Sequence, residues 1–321
     1  MSLGFCIVTL LLCFPGAPLV ARVLGHGPND PFPYAVSVYQ KPAGFWAHVP
    51  ALHSFADARE YDAHPTAPPG TPQALLPLGG DGPLGRDLAL RLLYGGRVTL
   101  EVALGGTLLA ALIGFVFGAS AALAGGWIDA LITRLTEFVM AFPLLLLLIM
   151  IGSTSVGDKL SSLTLHGIFA RGVVQLILVI SAFTWFYPAR VVRAQVLAIR
   201  EAEFIAAAEM LGAGQARIVR THLLPHVIPP LIAYCTAAFA TNVMLEAGVS
   251  FLGSGIKLPT ASWGSILSAN WGSLLNPTID LGGVRERSLL PTLAPTLAIF
   301  LVVYAANQVA DGVRYALDPA R

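Results

Sequence analysis

Charge is what this chain of 321 residues has least of. Only 12% of its residues are Asp, Glu, Lys or Arg, against roughly 25% in an ordinary soluble domain. Lysine is almost absent, at Lys41, Lys159 and Lys257, and none of the three stands between a Gly and a Ser or Thr. A phosphate-cradling loop needs that Gly-Lys-Ser/Thr run to bring ammonium and hydroxyl to phosphate and Mg²⁺, so no ATPase site of that type is encoded. A formal net charge of +1 provides no field for a polyanion and argues against a nucleic-acid partner. Cysteine is scarce too. Cys6, Cys13 and Cys235 lie inside apolar runs with no CxxC, which supports neither a disulfide framework nor a zinc site.

What fills the chain instead is apolar. Hydrophobic residues make up 55% and mean hydropathy is +0.72, too much for one soluble core and typical of an integral membrane protein. Residues 1–24 are a first transmembrane helix or a signal peptide. Residues 25–84 are hydrophilic and show no sustained periodicity, as expected of a long extracytoplasmic loop. His48, His53 and His64 within it are spaced as no single-helix metal pair would be, so a loop facing a partner is the better reading. Residues 85–99 place Leu88, Leu92 and Leu93 on one face, predicting a short interfacial helix. Further spans are predicted at about 98–123, 135–151, 173–189, 231–249 and 289–309. Gly114 and Gly118, four apart, would admit a neighbouring helix closely. Glu137 is expected to pair with Arg134, and Pro143 to kink its helix. Asn242 and Glu246 fall towards the outer end of the fifth span.

Alternation then gives six spans with both termini cytoplasmic. Stretches 125–134, 190–226 and 312–321 hold 8 Lys/Arg in 57 residues, and stretches 22–97, 152–171 and 251–288 hold 11 in 134. The excess of basic residues on the first side marks it as cytoplasmic.

The loop 190–226 is the informative one. It carries five arginines, and Glu201 to Leu211 is dense in helix formers. Gly212 stands where helices commonly end, followed by Ala213 and Gly214 as a turn. A second helix, 215–223, then meets Pro225, where the chain is expected to leave the helix. Ala206, Ala207 and Ala208 make a smooth face, with Phe204 and Leu211 as edge anchors for a protein partner. On these grounds alone a docking knuckle and a solvated connector stay equally open.

The run Ala206-Ala207-Ala208, then Gly212, then Leu224-Pro225, resembles the cytoplasmic EAA loop of ABC importer permeases. The stretches 77–100, 125–147, 248–267 and 310–319 are similar, in order, to the C-type permease subunit of the dipeptide/oligopeptide/nickel family. The resemblance implies an all-α integral membrane protein of the type I importer fold, with six transmembrane helices, an uncleaved first helix and residues 85–321 as the transmembrane domain. It implies that Glu203, Phe204, Ile205, Ala206, Ala207, Ala208, Glu209, Leu211, Gly212, Ala213 and Gly214 couple to an ATPase, with His222, Leu224 and Pro225 at the loop exit. Phe251, Leu252, Gly253, Trp263 and Gly264 would face a receptor. The implied partners are a homologous second permease, two ATPase subunits that bind ATP and Mg²⁺, an extracytoplasmic substrate-binding protein and the lipid of a prokaryotic inner membrane. This chain itself would bind no cofactor or metal. Peptides are the family's usual cargo, beside nickel chelates and haem. Two features depart from the pattern: the usual glutamate falls at Ala206, flanked by Glu203 and Glu209, and the first outer loop is long. An ion-driven secondary transporter would want ionisable groups deep in the spans and an internal repeat. A membrane enzyme would need a site around His166, His222 and His226.

Overall fold

The computed structural model describes residues 2–32, 35, 45–51, 72–82, 84–165, 167–200, 202–210, 214–257, 259–275 and 289–316, with the backbone alone at 155–156, 206–209, 215–216 and 273–275. Among these, four helices are long and apolar enough to cross a membrane: α1 (Ser2–Leu24), α2 (Leu88–Ala124), Val219–Phe251 and Leu290–Ala316. Two bent pairs bring the number to six if each pair is counted as one span. Gly126–Met140 (α3) and Leu144–Gly152 (α4) meet at 74°, and Val173–Thr184 (α6) and Phe186–Arg200 (α7) at 45°. The short helix Ser155–Ser161 is α5.

α2 is the axis of the molecule. Its 37 residues span about 55 Å at 1.5 Å per residue, nearly twice the roughly 30 Å of hydrocarbon. The separate interfacial helix expected over 85–99 is therefore the first part of α2. The helix starts at Asp87, whose carboxylate accepts from the amides of Ala89 (2.8 Å) and Leu90 (3.2 Å). It does not break at Gly95-Gly96, because that pair is where the backbone at Ser262 and the ring of Trp263 come against it. Gly114 and Gly118 act as expected. A Cβ at Gly114 would lie 2.6 Å from the Trp185 carbonyl oxygen, and one at Gly118 would meet the Ala189 backbone. α2 and α7 thus touch backbone to backbone.

Pro143 does more than kink the third span. With an extended ψ of 103° it caps α4, and the chain turns sharply between α3 and α4. Arg134 and Glu137 pair at 2.9 Å, both exposed.

One end of the bundle carries a small cap of two antiparallel hairpins. β1 (Ala47–Pro50) pairs with β2 (Gln73–Leu76), and β3 (Gly80–Asp81) with β4 (Arg86–Asp87). Phe32, Val49 and Leu76 form its core. Beneath it lies a buried polar layer. Arg91 is ion-paired with Asp81 and both side chains are fully buried. Asn270 donates to Asp81, Arg91 Nη1 donates to Asn29 Oδ1 at 3.0 Å, and His26 Nε2 meets Asp87 Oδ2 at 2.8 Å. Burial, with the Arg91 charge second, pushes the Arg86 guanidinium down to about 10, against the pull of Asp81. His53 and His64 lie outside the described residues.

Candidate functional site

At the opposite end, the chain leaves α7 and turns at Ala202, whose amide donates to the Ile199 carbonyl at 2.9 Å. It then forms α8 (Glu203–Met210). After Gly214, α9 (Gln215–Ile218) begins, with the Gly214 carbonyl accepting from Arg217 (2.9 Å) and Ile218 (3.1 Å). The expected helix over 215–223 does not end at Pro225. A π-turn over Val219–Leu223 passes into a helix in which Pro225 lies in the first turn, where proline lacks no needed donor. We call the whole Val219–Phe251 span α10. One continuous helical element, with Pro229 and Pro230 inside it, therefore runs from the knuckle to the cap side.

The knuckle is fixed to the bundle by packing and by two arginines. Ile205 and Ile218 are buried with Ala122, Val192, Val196, Leu223 and Val227 in one cluster. Arg200 Nη1 donates to the Ala122 carbonyl at 3.1 Å, satisfying a free acceptor in the last turn of α2 where a cation suits the helix dipole. Arg193 donates twice to Asp129, at 2.6 Å each, tying α7 to the first turn of α3 with a bidentate charge-assisted pair. The Phe204 ring lies 5.9 Å from that of His222 and 6.0 Å from that of His226, stacked on the latter at 21°. His226 Nδ1 donates to the His222 carbonyl at 2.7 Å.

The predicted coupling residues thus divide by position. Ile205 faces the bundle, whereas Glu203, Gly214 and part of Phe204 face outward. Phe204 is braced against the loop-exit histidine His222 rather than standing free. Met210, not singled out from the sequence, is 84% exposed. Its exposure could have been anticipated from the helical offset of seven residues between Glu203 and Met210. The backbone at Ala206, Ala207, Ala208 and Glu209 is helical as expected, while their side chains, and all of Leu211, Gly212 and Ala213, lie outside the described residues. Leu224 is half-buried and Pro225 exposed.

On the cap side, α11 (Trp263–Leu275) follows a tight loop after α10, and α12 (Leu290–Ala316) closes the chain. Leu252 is exposed and Gly253 sits at φ +78°, a conformation glycine adopts freely. Phe251 stacks edge-on with Trp271 at 5.6 Å. Trp263 and Gly264, expected to face a receptor, are instead buried. The Trp263 indole donates to the Leu92 carbonyl at 2.9 Å, and Gly264 lies on the Ala247 backbone, so both shape the loop from within. Glu246, expected only to approach the outer end, is fully buried. Ser250 Oγ donates to its Oε1 at 2.6 Å, while Oε2 is buried without a hydrogen-bond partner among the described residues. A cavity nearby is lined by Asn29, Tyr94, Arg97, Glu101 and Phe169, with Arg97 Nε donating to Glu101 at 2.7 Å.

The bundle of four to six spans thus carries a helical knuckle at one end and the short helix α11 beside the cap at the other. Comparison with known proteins identifies the family. Residues 114–321 match the family described as binding-protein-dependent transport system inner membrane component. A protein of Brucella ovis described as a peptide permease is 36% identical over 241 residues, covering 75% of this chain and 72% of that one. The nickel transport system permease protein NikC of Escherichia coli is 33% identical over 240 residues, covering 75% and 78%. An inward-facing structure of the MetNI methionine ABC transporter shares the fold, with a TM-score of 0.52 at 18% identity over 72% of this chain and 98% of that one. The chain belongs to the binding-protein-dependent inner-membrane component family. It is a multi-pass permease subunit of an ABC importer.

Proposed function

We propose that this subunit forms half of the translocation pathway for peptides or peptide-like solutes and receives the ATPase stroke through residues 203–214. The observation that carries the proposal is the brace at the knuckle. Phe204 against His222 and His226, and Ile205 against Ile218 and Leu223, fasten α8 to the base of α10. A force applied to the exposed side of α8, at Glu203, Phe204 and Met210, then reaches α10 without slack. The knuckle would lie in the cytoplasm, in keeping with its arginines, and both termini with it. ATP and Mg²⁺ would bind to two partner ATPase subunits, and this chain would hold no cofactor. A second, homologous permease would supply the other half of the pathway, and an extracytoplasmic binding protein would deliver cargo to the cap side. The peptide permeases among its relatives support the cargo class.

The test is co-purification in mild detergent from cells that carry the whole transporter. The tagged wild-type chain is expected to bring down a second permease and an ATPase. Phe204→Asp and Met210→Asp should insert normally but lose the ATPase. Equal ATPase recovery in both variants would refute the coupling assignment, and ATP-independent uptake by the lone chain in vesicles would refute the importer mechanism.

A further inference from the structure

A fully buried carboxyl in a membrane span is costly to maintain, and such groups ordinarily have a function. Glu246 has no part in the coupling scheme above, yet four segments meet at it. Ser250, one turn further along α10, donates to Oε1 at 2.6 Å. The same Ser250 oxygen accepts from the Ile256 amide at 3.1 Å, which folds the loop after α10 back onto the helix. Thr99 of α2 and Ser262 at the start of α11 lie beside the carboxyl, whose Oε2 is buried without a hydrogen-bond partner among the described residues. Thr99 Oγ1 in turn accepts from the Trp263 amide at 3.3 Å. Backbone contact reinforces the knot, since Gly255 lies on Ser250 and Gly264 on Ala247 with no room for a side chain.

We infer that Glu246 is a positioning residue for transport, fixing the loop after α10 and the start of α11 to the end of α10 so that they move as one body. The inference rests on the coupling reading, because α10 is useful as a lever only if the knuckle is driven. The 33 residues of α10 carry a displacement over about 50 Å. Without a fixed joint at its far end, motion would be spent in bending the loop at Leu252-Gly253, and the pathway would not open to the cap side. A carboxyl suits this joint because Oε1 takes the Ser250 hydroxyl proton and so turns the Ser250 oxygen to accept from the Ile256 amide.

The experiment measures substrate uptake and ATP hydrolysis on the same reconstituted complexes. In Glu246→Leu the ATPase subunits should still co-purify and hydrolysis should persist, while uptake falls about tenfold, a typical magnitude for lost coupling between sites. Glu246→Gln, which keeps an acceptor for Ser250 and offers an amide to the other hydroxyls, should restore most of the uptake. The double variant Thr99→Val, Ser250→Ala should lose uptake relative to hydrolysis in the same sense. It decides the matter if Glu246→Leu does not assemble. Normal uptake in these variants, or a parallel fall of uptake and hydrolysis, would overturn the inference. So would a Gln variant as uncoupled as the Leu variant. Phe204→Asp run alongside separates the two ideas: if it retains the ATPase, the coupling reading has failed, whatever Glu246 does.

Discussion

Two glycines should answer the same substitution with opposite signs. At Gly118 a methyl group would lie 3.0 Å from both the Cα and the carbonyl carbon of Ala189 and closer still to its oxygen. All three are backbone atoms of α7, so no side chain can swing aside. Relief requires α2 and α7 to separate by several tenths of an ångström, against the Arg200 bond to the Ala122 carbonyl and the packing around Val192 and Val196. Overpacking of this kind costs about 1–3 kcal/mol. At Gly312, near the end of α12, nothing lies within 4 Å of the added methyl and φ is not in the left-handed range. There alanine only removes the backbone entropy that glycine loses in a helix, a gain of about 0.5–1 kcal/mol. The assay is survival of detergent-solubilised protein as a single size-exclusion peak after stepwise heating. Gly118→Ala should lower the apparent melting temperature, and Gly312→Ala should hold or raise it. If Gly118→Ala matches the wild type, the close approach of α2 and α7 is refuted. If both variants fall equally, the helix-entropy argument goes too.

Ile205 is 4% exposed within the knuckle cluster, so Ile205→Ala should cost about 2–4 kcal/mol and Ile205→Val about a third of that. Measured as thermal stability beside ATPase recovery, the alanine variant should weaken both and the valine variant neither by much. The cap layer offers a contrast between two arginines. The value of Arg86 lies below that of an ordinary guanidinium because burial and Arg91 outweigh Asp81, so its charge costs stability in full at every pH below about 10. Arg86→Met should therefore leave the melting temperature unchanged or raise it, as replacing a poorly paired buried charge often does. Arg91→Met instead strands the buried Asp81 carboxylate and should destabilise by about 3–5 kcal/mol; equal behaviour of the two variants would count against this account of the layer.

The four straight spans were legible because each is a long apolar run, and length and hydropathy are local properties of the chain; the bends within the two remaining apolar stretches were not. The Arg134–Glu137 pair and the Gly114/Gly118 contact were legible for the same reason, since helical spacing decides them. What was not legible depends on partners distant in sequence. Trp263 and Gly264 look like members of a polar loop; only their contacts with Leu92 and Ala247, far back in the chain, bury them. Arg91 looks like the polar side of an interfacial helix, and its burial depends on Asp81, Asn29 and the Pro259 carbonyl.

Pro225 carries the most consequential difference. Proline signals a break when the preceding four residues are in α-helix, because its ring and missing donor disturb the bond to residue i−4. Here the preceding turn is π-helical, over Val219–Leu223, and a wider turn changes which carbonyl each amide would have sought. The proline is absorbed and the rod continues. A sequence rule that ends the helix at Leu223 separates the knuckle from the fifth span by a loop; the continuous helix removes that loop, with Pro229 and Pro230 in its interior. Motion imposed at Phe204 must then be taken up at the other end of α10, beyond Phe251, where Leu252, Gly253 and the joint at Glu246 lie.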